Sequence, residues 1–244
     1  DDRDGSFPSG DLDLIRKLCD RHFGIGSDGL VLIQKGKGLS HDFHMEFFNP
    51  DGSQSFCGNG SRCAFAYWSE LSKGRGEANF TAIDGIHNGS WRGDEVAVSL
   101  GFEGCVQLAF DGDDMDFDDN GSPHELVWVA DPEAIEIMQD GPRRRFDEQH
   151  APGGTNVNFL KPEDGSIHMR TYERGVEAET LSCGTGVVAA ALSALQRNVT
   201  QTPVTVNTRG GTLHVEAELI AADTFGRIKL IGPVTRVFEG HFSF

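Results

Sequence analysis

Two short segments of this 244-residue chain repeat one another, and the repeat limits the folds open to it. Cys57-Gly58-Asn59-Gly60 and Cys183-Gly184-Thr185-Gly186 differ at one position of four and lie about half the chain apart. Each opens a run rich in Ala, Leu, Val or aromatic residues: Ala64 to Trp68 after the first, Val187 to Leu192 after the second. Both runs read as helices apolar almost all round, and such a helix must be buried on all sides. The rest of the chain reads as short strands. Phe43–Phe47, Ile167–Arg170 and Leu213–Ala217 alternate apolar and polar residues, and Val96–Val98, Leu126–Val129, Val204–Val206 and Ile228–Ile231 are compact β-formers. The expected fold class is α+β: two pseudo-symmetric halves, each a curved, barrel-like, mostly antiparallel sheet around a central buried helix. Residues 1–102 would form the half with the Cys57 turn and residues 103–231 the half with the Cys183 turn. Residues 232–244 would form a C-terminal strand returning to the first half.

The chemistry of such a turn follows from its parts. Glycine lets backbone N–H groups approach a ligand closely. The first N–H groups of a helix are unpaired and carry partial positive charge, which suits a carboxylate. A cysteine there is expected to have its thiolate favoured and its pKa lowered. Two such half-sites acting on one amino acid supply what inversion of a stereocentre needs. One thiolate removes the α-proton, a thiol on the other face returns one, and N–H groups stabilise the charge that spreads into the carboxylate. A lone cysteine is more often a small buried hydrophobe, and Cys19, Cys63 and Cys105 are read that way. The main chemical rival is a two-cysteine redox switch.

Composition excludes other classes. A net charge of −17 disfavours nucleic acid and anionic membranes as partners. No apolar run is long enough to span a bilayer. Five cysteines, an odd number with no CxxC pair, argue against a secreted disulfide framework and for reduced thiols in a cytoplasmic protein. The acidic stretch Asp111 to Asp119 reads as a solvated loop without the spacing of a calcium site. No pyridoxal or metal site is apparent, so the expected cofactor is none. The opening Asp1-Asp2-Arg3-Asp4-Gly5 lacks an initiator methionine and an opening strand, which reads as a chain without its natural start.

Further motifs fall in order along the chain. They are Gly24-Ile25-Gly26-Ser27-Asp28-Gly29, Phe48-Asn49-Pro50-Asp51-Gly52-Ser53, Cys57 to Cys63, Gly121-Ser122-Pro123-His124 and Thr155-Asn156-Val157. Tyr172-Glu173-Arg174-Gly175, Glu179-Thr180, Cys183 to Gly186 and the tail Gly232-Pro233…Val237-Phe238-Glu239-Gly240 follow. From about Phe23 onward the chain closely resembles the diaminopimelate epimerases, pyridoxal-independent enzymes of lysine and cell-wall biosynthesis. The resemblance implies Cys57 and Cys183 as acid and base, with Cys183 abstracting and Cys57 donating in the LL-to-meso direction. It implies that His124 and Glu173 sit near the thiols and set their protonation. It assigns Asn49, Asn156, Glu173 and Arg174 to the distal amino-acid end, and Gly58, Asn59, Gly184 and Thr185 to the reacting carboxylate. It also implies a homodimer acting on a small molecule, LL- or meso-diaminopimelate.

Three departures stand out. The family's opening strand and Gly-x-Gly-Asn-Asp-Phe segment are absent, Ser122 stands where an Asn is usual, and the link Val176-Glu177-Ala178 differs from the usual one. Proline racemases and hydroxyproline epimerases share the two-cysteine logic, but usually carry His where this chain has Asn59, and a ring substrate needs no Glu173-Arg174 pair. Phenazine-type isomerases lack the paired cysteines. A non-catalytic thiol-switch or binding protein is the alternative from another class.

Overall fold

The computed structural model describes residues 1–36, 38, 40–109, 112 and 114–242. The chain divides into two compact units, Asp1–Gly101 with Gly232–Phe244, and Phe102–Ile231.

The first unit holds α1 (Leu12–Cys19), β1 (Leu30–Lys35), β2 (Phe43–Phe48), α2 (Gly58–Leu71), β3 (Glu77–Ala82), β4 (Gly85–Arg92) and β5 (Glu95–Ser99). β1 pairs antiparallel with β2, β2 parallel with β3, and β3, β4 and β5 form an antiparallel run. A parallel pair needs a crossover, and α2 provides it between β2 and β3. Phe65 and Trp68 of α2 meet Phe43 and Phe80 of the sheet, with Phe43 and Phe80 stacked at 4.7 Å. The approach depends on Gly89 in β4: a Cβ there would lie 2.5 Å from the Phe65 ring.

The second unit holds β6 (Met115–Asp119), β7 (Pro123–Trp128), α3 (Ile137–Arg145), β8 (Asn156–Glu163), β9 (Ser166–Glu173), β10 (Ala178–Thr180), α4 (Gly184–Gln196), β11 (Val204–Thr208), β12 (Gly211–Ala221) and β13 (Thr224–Pro233). β8 pairs antiparallel with β9, β9 parallel with β11, and β11, β12 and β13 run antiparallel. β6 and β7 extend this sheet at the β8 edge. α4 makes the crossover between β9 and β11. The order α1–β1–β2–α2–β3–β4–β5 therefore recurs as α3–β8–β9–α4–β11–β12–β13 once the short β10 is set aside, and both Cys-Gly-x-Gly turns open the same element of the repeat.

The two helices are not equally buried. In α4 every residue from Gly186 to Ala194 is buried, as its sequence demands. Its end is closed by Asn198, at φ +58°, with Asn198 and Val199 N–H groups returning to Leu195 and Ala194 carbonyls. In α2 the expected all-round burial does not hold: Tyr67 is 42% exposed, and Cys63, one turn earlier on the same stripe, is exposed too. Aromatic content alone did not reveal that one stripe of this helix is solvated. Cys105 is likewise exposed, so of the three cysteines read as buried hydrophobes only Cys19 is one.

The acidic stretch is also corrected. Asp111 and Asp113 lie outside the described residues, but Met115–Asp119 is a strand, with Asp116 and Asp118 buried. The Asp116 carboxylate explains the burial. It accepts from Arg197 Nε and Nη2 at 2.6 Å, Ser193 Oγ at 2.6 Å, Trp128 Nε1 at 3.0 Å and Ala109 N at 3.0 Å. After Pro233 the described tail is irregular rather than a strand, with Val234 packed on the first unit's core.

Candidate active site

Cys57 is the N-cap of α2, in extended backbone, and its Sγ accepts from Gly60 N at 3.3 Å. The thiol nevertheless rests above its usual range. Burial pushes it up, and the opposing N–H groups of Gly60 and Asn59 do not offset the loss of hydration. The helix start alone had suggested the opposite direction. Arg62, buried on the same turn, points its guanidinium to Gly58 O at 3.4 Å and Asn59 Oδ1 at 3.0 Å, and its charge favours the Cys57 thiolate.

Cys183 is the N-cap of α4, also in extended backbone, but its side chain makes no cap hydrogen bond to the helix. Its Sγ lies 3.4 Å from Thr185 Oγ1, which lies 2.9 Å from His124 Nε2. His124 is fully buried on β7. Burial, with the charge of Arg174, drops its pKa to about 3, so the imidazole is neutral at any working pH. Its Nδ1 lies 3.2 Å from Asn158 Nδ2 on the adjacent β8. The two turns thus hold their sulfurs differently: Cys57 Sγ takes the Gly60 N–H, whereas Cys183 Sγ lies by the hydroxyl of Thr185, at the position where the repeated tetrapeptides differ.

The residues expected at the distal end are each held by hydrogen bonds within their own unit. Asn49 donates to Ser53 O, Ser53 Oγ and Ser55 Oγ, within the loop leading to Cys57. Asn156 is buried; its Nδ2 donates to Ser122 Oγ at 3.0 Å and Pro123 O at 2.9 Å, and its Oδ1 accepts from Arg174 N at 2.9 Å. Ser122 therefore keeps a hydrogen bond at the position where Asn is usual. Glu173 accepts from Thr180 Oγ1 at 2.7 Å. Arg174 lines a cavity of about 550 Å³ with Gly121, Pro123, Gln107, Gln149 and His150. The altered link is held by Glu177, at φ +56°, whose carboxylate accepts from Arg145 and Gly175 N.

Asp118 sits opposite His124 in the β6–β7 register, facing the same side of the sheet. It is 2% exposed and its Oδ2 has no partner among the described residues. Burial, then the charge of Asp119, raises its pKa to about 7, against a hydrogen bond from Asn120. A carboxyl raised in the folded state holds its proton where the unfolded chain has lost it, so stability falls as pH rises from about 4 to about 7. Asp118→Asn is expected to remove that slope and to stabilise the protein at pH 8 by on the order of 2–4 kcal/mol. Thermal unfolding at pH 5 and pH 8 checks it: parallel behaviour of both proteins would show that Asp118 is ionised without penalty.

Among the described residues no group of three or more His, Cys, Asp or Glu side chains is placed to hold a metal ion. Nor is any helix among them long and apolar enough to cross a membrane. Sequence reasoning missed Arg62, Asn158 and Asp118 as neighbours of the two turns. A signal for Asn158 existed: Asn156 and Asn158 alternate with Val157 and Phe159, so two amides share one face of a buried strand.

Known proteins share this architecture. A phenazine biosynthesis protein of the PhzF family from Bacillus anthracis superposes with a TM-score of 0.72 at 10% identity, over 94% of this chain and 87% of that one. A hydroxyproline epimerase from Agrobacterium vitis gives 0.65 at 18% identity, over 93% and 79%. The chain therefore shares one fold with a phenazine biosynthesis protein and a hydroxyproline epimerase. Closer relatives are found by sequence. The diaminopimelate epimerase family model matches residues 1–102 and 117–235, reaching ahead of Phe23 to residue 1. A diaminopimelate epimerase from Flavobacterium psychrophilum is 37% identical over 242 residues, 98% of this chain and 93% of that protein. One from Aquifex aeolicus is 40% identical over 244 aligned positions, 95% of this chain and 85% of that protein. The chain belongs to the diaminopimelate epimerase family.

Proposed function

We propose that this protein is an isomerase that converts LL-2,6-diaminopimelate to the meso isomer without pyridoxal, using Cys57 and Cys183 as its two proton carriers. The observation that carries this reading is the topological equivalence of the two cysteines. Each caps the crossover helix of one repeat, at a helix N-terminus whose partial positive charge suits a carboxylate. The unlike settings of the sulfurs support the division of labour. Burial keeps the Cys57 thiol protonated and fit to donate, whereas Cys183 has a hydroxyl at its sulfur and is fit to abstract. His124 and Glu173 assist the thiols, and Gly58, Asn59, Gly184 and Thr185 receive the reacting carboxylate.

The substrate's far end is assigned to Asn49, Asn156, Glu173 and Arg174. Arg174 takes the distal carboxylate, and Asn156 acts by holding the Arg174 backbone. A flexible substrate must have that end fixed, or its α-carbon drifts from the sulfurs. The same reading makes the protein a cytoplasmic homodimer with a small-molecule substrate, and its strong negative charge disfavours nucleic acid. The test is stereochemical analysis of LL-diaminopimelate, L-proline and trans-4-hydroxy-L-proline after incubation with the protein. Inversion of the first alone is expected. Arg174→Ala should reduce that turnover by roughly 10²-fold or more, in kcat as well as KM, because remote binding supports the reacting geometry. Inversion of a proline ring with LL-diaminopimelate untouched would overturn the substrate assignment.

A further inference from the structure

We propose that Asn158 is a positioning residue that locks His124 as its Nε2–H tautomer and so makes the Thr185 hydroxyl a hydrogen-bond donor to the Cys183 sulfur. The proposal rests on Cys183 being a proton carrier of the reaction, but its own evidence is the geometry of a buried hydrogen-bond chain whose first two bonds have fixed directions.

The chain starts at an amide that cannot turn round. Asn158 Oδ1 accepts from Thr171 Oγ1 at 3.0 Å, and Nδ2 donates to the Glu125 carbonyl at 3.1 Å. Exchanging the two ends would set Oδ1 against that carbonyl oxygen. An N–H group therefore points at His124 Nδ1, 3.2 Å away, and Nδ1 must offer its lone pair. A neutral imidazole carries one proton, which then sits on Nε2 and is donated to Thr185 Oγ1 at 2.9 Å. The threonine hydroxyl has a single hydrogen, which the histidine N–H leaves free to turn toward Cys183 Sγ at 3.4 Å. Every link runs the same way and ends on sulfur.

This favours the thiolate, because a sulfur anion gains more from a donor than a thiol does. It also gives His124 a role other than proton transfer: a fixed donor whose buried neutral state keeps the chain's polarity. The charged groups about it are Arg174, whose charge opposes protonation, and Asp118 across the β6–β7 pairing. The Glu125 carboxylate is engaged by Arg144 and His150. Gly186 lets α4 come this close: a Cβ there would lie 2.7 Å from Asn158 Oδ1 and 3.3 Å from His124 Cε1. The first turn has no such device, since the Cys57 sulfur takes its donor from the Gly60 backbone.

The experiment needs no substrate, so its outcome is independent of whether the protein turns over diaminopimelate. Imidazole ¹⁵N shifts of the labelled protein are measured, with the His124 signals assigned by their loss in His124→Gln. The Nε2–H pattern is expected over pH 6–9, and an Nδ1–H or imidazolium pattern would overturn the proposal. Thiol reactivity is read in parallel, as the alkylation rate of Cys183 against pH, resolved by peptide mass spectrometry. Thr185→Val should raise the midpoint by about one to two pH units, the effect of losing a hydrogen bond to a charged group, and Thr185→Ser should restore it. Asn158→Asp replaces the donor facing Nδ1 with an acceptor and should switch the ¹⁵N pattern to Nδ1–H. An unchanged Cys183 midpoint in Thr185→Val would also overturn the proposal.

Discussion

Replacing Cys57 or Cys183 with alanine is expected to abolish epimerisation, lowering kcat/KM by at least about 10³-fold, within the range that a positioned acid or base contributes. The α-proton of an amino acid is held firmly. Its removal needs a base aimed along the C–H bond, and inversion needs a second proton source on the opposite face. Neither thiol can replace the other, so the single losses should each approach the double loss rather than add. The two variants should still differ in one respect. Cys57→Ala keeps the abstracting group, so LL-diaminopimelate should exchange its α-proton with solvent without inverting. Cys183→Ala should neither exchange nor invert that isomer. Circular dichroism would show that both variants are folded. Near-normal turnover by either variant would remove the two-thiol mechanism.

The second large effect is on stability. Asp116→Ala is expected to destabilise the Phe102–Ile231 unit by about 3–5 kcal/mol, the usual result of breaking a buried ion pair from one side. The substitution leaves Arg197, the Ser193 hydroxyl, Trp128 Nε1 and the Ala109 N–H without their common acceptor. Ser193 and Arg197 lie at the end of α4, so the loss loosens the helix whose other end carries Cys183. The pH dependence has a defined sign. Burial by itself would raise the Asp116 carboxyl, but its hydrogen bonds, chiefly from Arg197 and Ser193, hold it below the usual carboxylate range. A depressed carboxyl stabilises the fold above its unfolded pKa, and that contribution is lost as pH falls through the folded value. The gap between parent and variant should therefore narrow in acid. Urea denaturation at pH 7 and at low pH measures it, and a loss below about 1 kcal/mol at pH 7 would show that the cluster contributes little.

Much of this architecture was legible because it is written in periodicity. The strands around Phe43–Phe47, Ile167–Arg170 and Leu213–Ala217 show the two-residue alternation of a half-buried sheet, and each lies inside a strand of the structure. The Val187–Leu192 run has no polar face to expose, and α4 is buried throughout. Properties that depend on tertiary partners were less legible. Asp116 and Asp118 look solvated in an acidic run, but the partner that buries Asp116 is Arg197, far along the chain. The solvated stripe of α2 is invisible because Tyr67 and Cys63 are apolar enough to pass for core. The resting state of the Cys57 thiol depends on how far burial outweighs two N–H groups, a balance that no motif encodes. The Asn158–His124–Thr185 chain joins three separate segments, and only its Thr185 end lies in the repeated turn.

The two-thiol account is tested most directly by running the reaction with LL-diaminopimelate in deuterium oxide and stopping it at a few per cent conversion. With separate proton donor and acceptor, the product's new α-hydrogen comes from the second thiol, which has equilibrated with solvent. Deuterium should then appear at the inverted carbon of the meso product, while recovered LL-diaminopimelate keeps its hydrogen. Equal deuterium in recovered substrate and product would mean that a single group removes and returns the proton, and the assignment of Cys57 and Cys183 as a pair would be wrong.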